Sequence, residues 1–194
     1  MSAPHIILAS SSPYRRQLLE RLGLPFQVVR PNVDESPGAG ESATALVERL
    51  ALAKARVVAQ QRQGALVIGA DQVAVQAGKI VGKPSDHVQA RRQLRQASGN
   101  SVTLYTGLAL VNSDNGRSQS DVIPFRVLFR QLSEQQIENY LQREQPYDCA
   151  GAVKAEGLGI ALLQRLEGDD PSALIGLPLI RLIEMLEHEG IKVV

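Results

Sequence analysis

Cysteine is almost missing from this sequence: Cys149 is the one thiol in 194 residues. That excludes an internal disulfide framework and any cysteine-rich zinc site. Histidine is sparse as well, and His5, His87 and His188 are too scattered for a local zinc pattern. Tryptophan is absent and aromatics make up 4%, so an aromatic beside a motif carries weight. Neither sign of charge dominates: 21 Lys and Arg face 20 Asp and Glu, leaving +1. Bulk charge therefore does not direct the chain to extended nucleic acid or to a membrane surface. No apolar run reaches the roughly 18 residues of a membrane span. The opening Met1-Ser2-Ala3-Pro4-His5 lacks the basic flank of a secretory signal, and a cytoplasmic location is the expectation.

What is present suits an α/β protein. With 44% hydrophobic and 21% charged residues, the length fits one domain over 1–194, with lobes sharing one sheet. His5 to Ala9 is a short apolar run, predicted as a buried strand. Ser12 and Pro13 then supply an N-cap and a first helical residue, Leu18, Leu19 and Leu22 an apolar face, and Gly23 a stop. Phe26 to Val29 reads as a second strand, and Asn32 to Gly40 as a loop. A long helix is expected from about Ser42 to Gln61. Leu66 to Ile68 form a buried strand leading into Gly69-Ala70-Asp71-Gln72. Gly78 and Gly82 bracket a turn, and Asp86 to Ala97 reads as a helix. Val102 to Val111 and Val122 to Phe129 are strands joined by the hairpin signal Asn115-Gly116. Ser133 with Gln136 makes a capping box. Pro178 to Glu189 is a last helix, followed by a short strand, Ile191 to Val194. Helices alternating with strands around a hairpin favour a mixed sheet flanked by helices.

Four segments carry chemistry. Leu8 to Arg16 is a strand, a serine-rich turn and a helix start. A helix start presents unpaired N–H groups and a positive dipole end, which suits an anion. Arg15 and Arg16 stand at the end of the helix that disfavours cations, which points to an anion bound there. Lys54 is the one charge inside the apolar arc of the long helix and must snorkel or meet an anion. Asp71 follows a buried strand, where a desolvated carboxylate suits a general base or a metal bridge. Lys83, in Gly82-Lys83-Pro84, offers a second cation for phosphates. Glu35, in the Asp34-Glu35 loop, could join Asp71 on a hard divalent cation, because Mg²⁺ uses one or two carboxylates plus substrate phosphates.

Other sites fail on spacing. Gly78 to Gly82 is too short for a P-loop, Leu162 stands where a dinucleotide-binding glycine would fall, and no nucleophile elbow exists. Cys149 reads as a small packed residue rather than a nucleophile.

Taken in order, these motifs resemble the Maf family of nucleoside triphosphate pyrophosphatases. The opening pattern is Leu8 to Arg16, the acidic loop Asp34-Glu35, and the helix pattern Glu48 to Ala55. Asp71, Gly82-Lys83-Pro84, Thr106-Gly107 and the glycine-rich stretch Cys149 to Gly157 follow. The resemblance implies an α/β, ITPase-like fold with two lobes about a cleft, often as a homodimer. It implies phosphate binding by Ser10, Arg15, Lys54 and Lys83, with catalysis at Asp71. A divalent metal, Mg²⁺ or Mn²⁺, would lie on Glu35 and Asp71. Three departures resemble the branch acting on 7-methyl-GTP: Tyr14 where arginine is common, Gln72 after Asp71, and Glu156 where a glutamine is usual. N7-methylation fixes a positive charge on guanine, so a carboxylate at 156 and a ring face at 14 suit that base. The implied activity is hydrolysis of 7-methyl-GTP to 7-methyl-GMP and pyrophosphate. The alternatives are a pyrophosphatase for dTTP or UTP, and a nucleotide-binding regulator of cell division.

Overall fold

A computed structural model describes residues 5–194; Met1 to Pro4, which carry the reading of the opening segment, lie outside it. The local signals act where they stand. β1 (His5–Ala9) leads to α1 (Pro13–Glu20), where Ser12 accepts the Arg15 N–H and Pro13 takes the first helical position. β2 (Phe26–Val29) and α2 (Ala43–Ala59) follow, the helix capped by Ser42 on the Ala45 N–H. Next come β3 (Ala65–Gln76), β4 (Lys79–Val81) and α3 (His87–Ala97), capped by Asp86. β5 (Ser101–Asn112) and β6 (Ser118–Phe129) flank the Asn115-Gly116 turn, with Gly116 at φ +71. α4 (Glu134–Glu144) opens on the Ser133–Gln136 capping box. β7 (Leu163–Glu167) and α5 (Leu179–His188) complete the chain's regular elements.

The strands form one seven-stranded sheet in the order β2-β1-β3-β5-β6-β7, with β4 paired to β3. β1 runs parallel to β2 and β3, whereas β4 is antiparallel to β3 and β7 to β6. The sheet is mixed, as expected. The chain divides into two compact units. Of the described residues, the first comprises 5–71, Thr106–Ile123 and Asp170–Val194; the second comprises Gln72–Tyr105 and Pro124–Asp169.

In the first unit the strand period of two sorts the core onto two faces. Ile6, Leu8, Leu66, Ile68, Leu108 and Leu110 pack with Leu18 and Leu19 of α1 and with Leu182, Met185 and Leu186 of α5. Ile7, Ala9, Ala65, Val67, Ala109 and Val111 alternate with them and pack on Ala51, Ala55 and Val58 of α2. The α2 face is lined by small residues because the helix crosses very close. A Cβ on Gly69 would sit 2.1 Å from the Ala51 carbonyl oxygen, and one on Gly107 would sit 2.2 Å from that of Val47. In the second unit α3 packs on α4, burying Ala90, Leu94, Ile137, Tyr140 and Leu141. Arg91 and Arg95 reach Glu134 across that pair.

Several expectations need correction. Asp71 does not end a strand: β3 continues to Gln76. Gly69 marks the close crossing of α2 rather than a stop. The turn between Gly78 and Gly82 contains β4, too short for a periodic signal. Residues 191–194 are not a strand; Ile191 donates its N–H to the Leu186 carbonyl at 3.0 Å and packs its side chain on the α1–α5 core. Among the described residues no helix is long and apolar enough to cross a membrane.

The Gly69 crossing can be tested by denaturant unfolding. Gly69→Ala should destabilise the protein by about 1–3 kcal/mol, the usual cost of forcing a group into a filled core. Gly82→Ala, which meets nothing within 4 Å, should stay within about 0.5 kcal/mol of the parent. Equal stability of the two variants would contradict a crossing this close.

Candidate functional site

The two-residue period that places Gly69 under α2 also turns Asp71 to that face. Lys54 stands one turn along from Ala51, on the buried side of the helix. The two meet: Lys54 Nζ lies 2.7 Å from Asp71 Oδ1. The same Nζ lies 2.7 Å from Glu35 Oε1. Side-chain exposure is 6% for Lys54 and 10% for Asp71, against 62% for Glu35. An ammonium this deep persists only with a partner charge, and removing one member of such a pair typically costs about 3–5 kcal/mol. Lys54 thus has the anion its position demanded. Glu48, on another face of α2, accepts instead from the Ser120 hydroxyl at 2.8 Å.

The loop beside Glu35 is fixed from α2 as well. Arg49 donates to the Ser36 carbonyl at 3.1 Å and to Glu41 through Nε at 2.6 Å and Nη2 at 2.8 Å. These bonds pull the Glu41 carboxyl down to about 2. Asp34 accepts the Ser36 N–H at 2.9 Å, which turns the chain just after Glu35. Arg49 had no role in the sequence reading. Its signal was its place in the Glu48 to Ala55 pattern, but its partners lie eight and thirteen residues away, off the helix.

At the end of β1, Ser10 is buried, and its Oγ accepts the Ser12 N–H at 3.1 Å. Pro13 has no N–H and the Arg15 N–H is taken by Ser12. Arg15 donates through Nε to the Gly176 carbonyl at 2.8 Å. Burial lowers its pKa, while the charges of Asp71 and Glu35 oppose that shift. Arg15 therefore feels both carboxylates. Arg16 points away, to Glu20 at 2.9 Å in an exposed pair. Tyr14 is half-buried in α1.

Two carboxylates meeting one ammonium already form a cation position. Glu35 and Asp71 supply the hard oxygens that Mg²⁺ prefers, and their number matches its habit of taking one or two carboxylates with substrate phosphates. The residues fit such an ion. Among the described residues, no group of three or more His, Cys, Asp or Glu side chains gathers to form an all-protein cage.

The remaining expected residues belong to the second unit. Gln72 is half-buried in β3, directly after Asp71 in the chain. Lys83 is exposed, and the Gly82 carbonyl before it accepts from Gly151 N–H at 3.4 Å and Gln93 Nε2 at 3.1 Å. Glu156 is exposed in the turn before Leu158. Burial pushes the Cys149 thiol up to about 12, which keeps it protonated and inert at neutral pH.

Known proteins align with the whole of this arrangement. A family model described as Maf-like protein matches residues 5–189. A protein of Nitrosococcus oceani called 7-methyl-GTP pyrophosphatase is 60% identical over 190 residues, covering 98% of this chain and 96% of that one. Proteins with the same description from Methylobacillus flagellatus and Pseudomonas aeruginosa are 56% and 55% identical. They too align over 98% of this chain, and over 100% and 99% of their own lengths. A match running through the serine turn, the acidic loop, Lys54 and Asp71 leaves one conclusion: the chain belongs to the family of Maf-like proteins.

Proposed function

We propose that this protein is a nucleoside triphosphate pyrophosphatase that converts 7-methyl-GTP to 7-methyl-GMP and pyrophosphate. The observation that carries the reading is the buried ammonium of Lys54 between Asp71 and Glu35, with Arg15 close enough to feel both carboxylates. Relatives at 55–60% identity described by this activity support the substrate.

Water is added across the α–β phosphoanhydride. Its oxygen bonds to the α-phosphorus, the bond from the α-phosphorus to the bridging oxygen breaks, and that oxygen leaves with pyrophosphate. Asp71 orients the water and takes its proton. Lys54 and Arg15 offset charge that develops on the leaving pyrophosphate, and the Ser10 hydroxyl donates to a phosphate oxygen. Lys83 is assigned as a further phosphate ligand on the resemblance alone.

Lys54 and Arg15 already balance Asp71 and Glu35, so a triphosphate brings negative charge beyond what these four groups neutralise. Glu35 and Asp71 would hold Mg²⁺ or Mn²⁺, which would supply the missing positive charge. For the base, Glu156 accepts from the guanine N1–H and exocyclic amine and complements the N7-methyl cation. Tyr14 offers a ring face and Gln72 amide hydrogen bonds. A cytoplasmic homodimer accompanies this reading.

Asp71→Asn should lower kcat by about 10²–10⁴-fold, the range for losing a general base, with its circular dichroism spectrum kept. Turnover near the parental rate would remove Asp71 from its role. Chelation should abolish pyrophosphate release, and added Mg²⁺ or Mn²⁺ should restore it; full activity in chelator would exclude the metal. A panel of 7-methyl-GTP, GTP, dTTP and UTP reads the base. Glu156→Gln should reduce the preference for methylated over plain GTP by roughly tenfold, the worth of one charged contact. An unchanged ratio would count against recognition by charge.

A further inference from the structure

Glu156 stands in a turn shaped by a residue of another element. Glu144, the last residue of α4, sends its carboxylate into the 154–158 segment. Its Oε2 accepts the Leu158 N–H at 2.7 Å, and its Oε1 pairs with Lys154 Nζ at 3.1 Å. The two ends of the turn are thus held by one carboxylate, which is only 14% exposed. Gly157 makes this approach feasible: a Cβ there would lie 2.8 Å from both Glu144 oxygens. The turn is closed from within by the Lys154 carbonyl, which accepts the N–H groups of Gly157 and Gly159 at 3.1 Å each. From α4 the Tyr140 hydroxyl accepts the Lys154 N–H at 3.0 Å. Although burial works against its ionised form, the Glu144 carboxyl stays below the usual range because the Leu158 N–H and Lys154 favour its charge. Glu156 is the one residue of this braced turn with an exposed carboxylate.

We infer that Glu144 is a positioning residue for base selection, holding the 154–158 turn so that the Glu156 carboxylate is presented at a set place and charge. The inference rests on the assignment of Glu156 to the methylated base. Two effects act together. Loss of the Leu158 bond frees one end of the turn. Loss of the Lys154 pair releases an ammonium two residues from Glu156, where any pairing with it would reduce the negative charge offered to a cationic base.

The test is steady-state kinetics of the full chain on 7-methyl-GTP and GTP, for Glu144→Ala, Glu144→Gln and Glu156→Gln. Glu144→Ala should lower the kcat/KM ratio of methylated to plain GTP roughly tenfold, as for one lost charge-assisted hydrogen bond. The loss should fall on KM for 7-methyl-GTP rather than on kcat. Glu144→Gln keeps an acceptor for Leu158 and should recover part of the ratio. A general structural defect would instead lower both substrates alike. A parental ratio in Glu144→Ala, or equal losses on both substrates, overturns the inference while leaving Glu156 in place if Glu156→Gln still shifts the ratio. An unchanged ratio in Glu156→Gln removes the base assignment and this inference with it. Should Glu144→Ala fail to fold, Glu144→Gln decides alone: a partial fall in the ratio supports the role, and a parental ratio overturns it.

Discussion

A buried ammonium between two carboxylates governs the first unit of this protein. A charge buried on α2's apolar face is costly without an opposite charge beside it, and Asp71 and Glu35 supply that charge to Lys54. The 2.7 Å approach of Lys54 to Asp71 requires helix and strand to lie close. The sequence meets that requirement with small residues: Ala51 and Ala55 on the helix, Gly69 and Gly107 beneath it. The packing and the chemistry are therefore one arrangement. A larger residue at 69 would lift α2 and separate the pair, so the glycine serves the site without touching it.

The same economy appears around the cluster. Arg49 ties the acidic loop to α2 through Glu41 and Ser36, which brings Glu35 onto Lys54. Arg15 is fixed through its Nε to a backbone carbonyl at Gly176. The cations and carboxylates balance before any substrate arrives. In the second unit the logic repeats on a smaller scale, with Glu144 bracing the turn that carries Glu156.

Much of this was legible where the signal was local or periodic. Ser12-Pro13 and the Ser133–Gln136 box cap helices as read, because a cap is decided within four residues, and Ser42 and Asp86, read as helix starts, cap theirs from just outside. Lys54 stood out because a charge inside an apolar arc is a physical anomaly that the fold must answer. That Lys54 must snorkel or meet an anion followed from chemistry, but that the anion is Asp71 did not. Gly69 reads as a strand end in sequence, and only the crossing of α2 shows it to be a contact point inside a strand of twelve residues. β4 and β7, three and five residues long, left no periodic trace. The 191–194 run has strand composition, but only Ile191 is anchored, through its N–H on the Leu186 carbonyl, and Val194 is exposed. Arg49 and Glu144 were invisible as organisers because their partners are set by tertiary approach, not by spacing.

The central claim is that the Lys54–Asp71 pair marks where the α-phosphate reacts. A crystal structure with a non-hydrolysable 7-methyl-GTP analogue carrying an α,β-imido bridge tests it most directly. The account predicts the α-phosphorus within reach of a water held by Asp71, and phosphate oxygens on Lys54, Arg15 and Ser10. A triphosphate bound elsewhere, with the Lys54–Asp71 pair untouched by any phosphate or by its water, would contradict it.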